Sequence, residues 1–192
     1  VDGGTAMTDA GALFYRNSYN VPPTTAARTN FTGSLGYTFT VDQKTLVTEL
    51  GRLYVSGNSQ NHAVYLWDAS NSSSALRSAT ILASATSDSD SYKWATITPI
   101  TLVPGTQYIL AIDETSGGDA WKDSWANTFH PNFNFVNRTY AASAGAFPTN
   151  NNTSGGSIYN TGAMKYKIIA TTNIDSDIST RDGLVIESPF GG

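Results

Sequence analysis

His62 and His130 are the only histidines in this 192-residue sequence, and so the ordinary candidates for a general base near neutral pH. For acyl transfer one of them would have to stand beside a nucleophile, and neither lies in a G-x-S-x-G or H-E-x-x-H pattern. The chain has no cysteine, which removes thiol catalysis, disulfides and thiolate metal sites together. His62 opens an alternating stretch and reads as the start of a strand, whereas His130 precedes Pro131 and reads as part of a turn. No catalytic residue is assigned on these grounds, and the chain reads as a non-enzyme.

Carboxylates are the next chemical possibility. Asp113, Glu114, Asp119 and Asp123 fall close together, and glycoside hydrolysis needs two acids facing one another across a cleft. The plainer reading makes Asp119 and Asp123 loop residues that accept hydrogen bonds from their own backbone. Asp113, Glu114 and Asp119, next to Gly117 and Gly118, also offer the oxygen donors that calcium takes, but their spacing matches no EF-hand loop. A structural calcium ion is the one cofactor the sequence raises.

The stretch "TSGGDAWKDSWANTFHPNFNF" (115–135) holds two of the four tryptophans and three of the eight phenylalanines, yet is otherwise written in loop letters. Three readings compete. Trp121 and Trp125 could form a platform for a pyranose ring, with Asp119, Asn127 and Lys122 bonding its hydroxyls. The rings, Phe129 and Phe133 among them, could instead cap the open end of a sandwich, each burying about 150 to 250 Å². They could also face a neighbouring subunit, since aromatic residues concentrate at interface centres. A packed lid whose outer rings meet a partner combines the second and third readings and is the expectation here.

Those residues need a scaffold, and the composition limits what it can be. Only 14% of residues are charged, against about a quarter in a typical domain, and the net charge is −4. A surface so short of clustered Lys and Arg gives no footprint for nucleic acid. No apolar run reaches the roughly 18 residues of a membrane-spanning helix. Val1 at the start fits a processed, exported product as well as loss of an initiator methionine, and the composition favours export. Asn-x-Ser/Thr tripeptides at Asn30, Asn71, Asn137, Asn151 and Asn152 read as surface markers.

Period-two alternation, punctuated by Gly, Asn, Ser and Pro, dominates the middle of the chain. It predicts strands over 34–41, 45–56, 62–69, 75–86, 92–103, 106–115 and 163–172. In "HAVYLWDA" Val64 and Leu66 fall on one face and Tyr65 and Trp67 on the other, so both faces are apolar and the strand should be central. "VPGTQY" carries the Pro-Gly pair of a tight turn and predicts a hairpin between its flanking strands. The fold class that follows is all-β, an antiparallel sandwich of immunoglobulin or jelly-roll type. The expected layout is an extended arm over 1–32, a sandwich over 33–172 and a tail over 173–192 in which Leu184, Val185, Ile186 and Phe190 could add a strand. Ends so polar fray unless they dock on their own domain or on a neighbour.

The order and spacing of "GYTFTVDQKTLVTELGRLYV", "HAVYLWDA", "YKWATITPITLVPGTQYILAIDETSGGDAW" and "KYKI" resemble a family of uncharacterised β-sandwich modules, a domain of unknown function found in secreted bacterial and archaeal surface proteins. The resemblance implies a sandwich fold and an extracellular, cell-surface or virion location, and carries no catalytic residues with it. Two functions follow as expectations. The first is a structural subunit of a filament, layer or coat that binds copies of itself or another surface-assembly protein through its ends. The second is an adhesion module that binds glycans through Trp121 and Trp125.

Overall fold

A computed structural model describes residues 16–18, 25–125, 129–152, 157–159 and 162–169. The expected assembly tail, Leu184, Val185, Ile186 and Phe190, and the candidate Asn127 lie outside the described residues. Among the described residues there is no helix, and the strands pair antiparallel throughout.

In chain order the strands are β1 (Arg16–Asn17), β2 (Ala27–Arg28), β3 (Gly33–Val41), β4 (Thr45–Leu53), β5 (His62–Asp68), β6 (Arg77–Ile81) and β7 (Tyr92–Leu102). There follow β8 (Tyr108–Glu114), β9 (Trp121–Lys122), β10 (Ser124–Trp125), β11 (Phe133–Ala141), β12 (Asn150–Asn152), β13 (Ser157–Ile158) and β14 (Gly162–Ile168). A six-stranded sheet runs β12-β11-β3-β8-β5-β6 and a four-stranded sheet β1-β14-β4-β7, and the two pack as a sandwich. The pairs β2-β9 and β10-β13 form two small ribbons beside them.

Alternation explains which side chains meet between the sheets. Tyr37, Phe39, Val64, Leu66, Leu110 and Ile112 from the larger sheet face Val47, Leu50, Leu102, Met164 and Tyr166 from the smaller, all at most 1% exposed. The Tyr37 hydroxyl crosses the core to donate to the Gly162 carbonyl at 2.8 Å, so its one polar atom is satisfied in the dry interior. A side chain at Gly162 would meet the Leu110 and Ile112 methyls at 2.9 and 3.0 Å, so the missing Cβ lets β14 approach the larger sheet.

The larger sheet also has an apolar outer face. Trp67, Ile109 and Ala111 are buried there, roofed by the segment after β11, whose Phe147 ring stands edge-on to Trp67 at 5.4 Å. This is why β5 and β8 carry apolar residues on both sides. As expected for a central strand, β5 has a partner along each edge, β8 and β6.

The Pro104–Gly105 turn forms, but the expected hairpin does not. Thr106 N–H donates to the Val103 carbonyl at 3.4 Å, and Gly105 has φ +82°, as the third residue of a type II turn requires. Yet β7 pairs only with β4, in the smaller sheet, while β8 lies between β3 and β5 in the larger, so the turn is an arch between layers. Turn chemistry reverses the chain without choosing the sheet it returns to. Burial on both faces draws β8 into the middle of the larger sheet, and the Tyr108 hydroxyl accepts from Val103 N–H at 2.9 Å beside the turn.

β11 is the longest strand the sequence did not disclose. Its register against β3 slips between Phe135 and Asn137, so Phe133 and Phe135 pair in one phase and Arg138 and Tyr140 in the other. The bulge breaks period two, and the asparagines around it imitate a loop.

Candidate functional site

Two chain connections meet at one end of the sandwich, the loop from β4 to β5 and the turn after β8. Arg52 shares its face of β4 with Leu50 and therefore points between the sheets, where only 4% of it is exposed. A buried guanidinium needs a counter-ion, and Glu114 at the end of β8 supplies one. Arg52 Nε and Nη2 donate to Glu114 Oε1 and Oε2 at 2.9 and 3.0 Å, a two-pronged pair that joins the two sheets. Nη2 also reaches the Ala120 carbonyl at 3.1 Å, and Asn58 bonds both the carbonyl and the N–H of Ala120.

Asp119 completes the cluster from the turn after β8. Its oxygens accept from Ser59 N–H at 2.8 Å and Gln60 N–H at 2.9 Å, and His62 Nε2 lies 3.2 Å from Oδ2. Burial favours the neutral acid, but these backbone bonds and the imidazole outweigh it and hold the carboxyl below its usual range. The expected bonding of Asp119 to its own turn is thus replaced by bonding to the loop after β4. Asp123 pairs with Arg28 at 2.7 Å. Arg52, Tyr54, His62, Lys93 and Asp119 line a shallow surface depression above the cluster, with the half-exposed Leu82 at its rim.

A second polar cluster sits on the outer face of the larger sheet. Asp113 accepts from Ser34 Oγ at 2.5 Å, from Gly145 N–H at 2.9 Å and from the Tyr65 hydroxyl at 3.1 Å, which pins the roof segment to the sheet. Burial, reinforced by the Asp113 charge and hydrogen bond, pushes the Tyr65 phenol up.

The calcium candidates therefore do not converge. Asp113 and Glu114 are successive residues of one strand and face opposite sides of the sheet. Asp119 turns to a third set of partners. Among the described residues no group of three or more His, Cys, Asp or Glu side chains is placed to hold a metal ion.

The aromatic stretch is woven into the fold. Trp121 is 2% exposed on β9, with the Arg28 guanidinium 4.4 Å above its ring, so it presents no open face to a sugar. Phe129 packs on Tyr37 at 5.0 Å, and Phe133 meets Tyr166 at 4.8 Å and Phe39 at 5.7 Å, all in the core. The Trp125 backbone pairs with Ser157 in the β10-β13 ribbon. His130 lies in the expected turn, its carbonyl accepting from Phe133 N–H at 2.9 Å, and its N–H donates to the Ser18 carbonyl at 2.8 Å.

Sequence reasoning missed Arg52 altogether. Its signal was a lone cation in the apolar "TELGRLYV" at the same parity as Leu50. The partners of Asp119, two amides some sixty residues earlier, left no sequence signal.

No curated protein and no solved structure matches the chain. A family model matches residues 19–160, which takes in both polar clusters and ends just short of β14. The chain belongs to that family, described as a domain of unknown function, DUF4082.

Proposed function

We propose that this chain is a non-enzymatic structural subunit of an extracellular or virion surface assembly, in which the sandwich is the brick and the terminal segments make the contacts between copies. The observation that carries the reading is how the buried charges are used. Arg52, Glu114 and Asp119 direct their hydrogen bonds to other parts of the fold, tying sheets and loops together. An acid or base that serves a substrate keeps a reacting atom within reach of it.

The sheet edges support the same reading. Arg77 Nε and Nη2 donate to the carbonyls of Thr98 and Pro99 on the edge strand β7, at 2.7 and 3.2 Å, and Pro99 withholds an N–H there. Such an edge resists casual strand addition. On the opposite side β14 is covered by β1, whose neighbour Ser18 exchanges two bonds with Met164 at 3.0 Å. The proposal assigns specific association to the remaining terminal residues, where the apolar 184–186 segment would pair with a strand of a sister copy.

Deletion of residues 182–192 tests the idea. The shortened chain should remain folded by circular dichroism yet form no ordered polymers in electron micrographs, whereas the full chain is expected to form them. Normal polymers from the shortened chain reject the proposal.

A further inference from the structure

His62 is 5% exposed, and each of its ring nitrogens faces an oxygen that can only accept. Nδ1 lies 2.8 Å from the Asp113 main-chain carbonyl, and Nε2 lies 3.2 Å from Asp119 Oδ2. A neutral imidazole carries one N–H, so in that form one nitrogen would turn its lone pair toward a carbonyl or a carboxylate. Only the imidazolium satisfies both bonds.

The surrounding charges agree. From β8, Glu114 Oε2 lies 3.5 Å from Nδ1; from the turn after β8 comes Asp119. From β4 comes Arg52, held by both oxygens of Glu114, which leaves His62 as the one ion-pair partner of Asp119 among the described residues. From β7 comes Lys93, whose Nζ donates to the Ala83 carbonyl and sits 4.3 Å over the ring of Tyr54, itself in the loop after β4. β6 contributes the apolar Ile81, which pairs with His62. With an imidazolium the four buried side chains Arg52, His62, Glu114 and Asp119 sum to zero; with a neutral ring they sum to one negative charge at a largely buried site, which is costly.

We propose that His62 is a proton-binding site, held as an imidazolium between the Asp113 carbonyl and the Asp119 carboxylate, and that this proton closes the end of the sandwich. It joins β5 to the turn that presents Asp119, and Asp119 in turn holds the amides of Ser59 and Gln60. Losing the proton frees that turn first. The low range of the Asp119 carboxyl keeps the opposing charge in place throughout.

Two measurements on the full chain decide the matter. Nitrogen-proton correlation spectra of the His62 ring at about pH 7.5, above the free-imidazole range, should show both nitrogens protonated; a single protonated nitrogen overturns the proposal. The urea midpoint at the same pH should be lower for His62→Gln than for the native sequence. Equal midpoints also overturn the proposal. Should His62→Gln fail to fold, the ring spectrum of the unaltered chain decides alone.

Discussion

Glu114 is the fully buried counter-ion of Arg52. Its two oxygens neutralise Arg52, and the bidentate geometry holds the guanidinium where it can also bond Ala120. Removing one member of a buried pair leaves the other charge unsolvated, which costs about 3 to 5 kcal/mol, whereas replacing both with apolar groups of similar volume costs little or even stabilises. Glu114→Gln should therefore lower the urea midpoint sharply with an unchanged slope, and Arg52→Met with Glu114→Leu should recover much of the loss. Equal midpoints for the single and double variants would reject this account of the pair. Little of the cluster could have been read from the sequence. His62 was correctly placed at a strand start, and Asp119 was singled out for its chemistry, but their meeting depends on the pairing of β5 with β8 and on a turn that folds back over the loop after β4.

At the scale of elements, seven of the long strands were legible because alternation of apolar residues survives wherever one face is buried. What escaped was pairing and phase. The Pro-Gly turn announced a reversal and formed one, but the choice between hairpin and arch lay in the two apolar faces of β8, which only the outer roof around Phe147 makes sense of. β11 escaped because its bulge interrupts the pattern that reveals a strand. The guard on β7 gives this scale its prediction. Three residues of β7 between Thr96 and Ile100 oppose the single Thr48 of β4, a bulge that Pro99 and the Arg77 bonds keep from straightening into an open edge. Arg77→Ser combined with Pro99→Val exposes that edge. The expected result is concentration-dependent association in sedimentation velocity through pairing unrelated to the native termini; a double variant indistinguishable from the native sequence at every concentration rules out the guarding role.

For the whole molecule, the family match and the folded unit have different limits. The match ends at residue 160, but β14 begins at Gly162 and is an interior strand of the smaller sheet, hydrogen-bonded to β4 on one side and β1 on the other. Met164 and Tyr166 are fully buried, and Tyr37 donates across the core to Gly162. At the other limit Ser18, also fully buried, ties β14 to the His130 turn, so the stretch before the match completes the sheet as well. A chain that stops at residue 160 loses two large core side chains and leaves β4 with an open edge facing the aromatic interior. Truncating a single buried Met or aromatic side chain costs about 2 to 5 kcal/mol, and a domain of this kind has only about 5 to 15 kcal/mol in hand. Residues 1–160 should therefore show no cooperative unfolding transition in calorimetry, while residues 16–169 should show a single one. A cooperative transition from 1–160 would mean that the smaller sheet closes without β14, and that the family boundary coincides with the folding boundary after all.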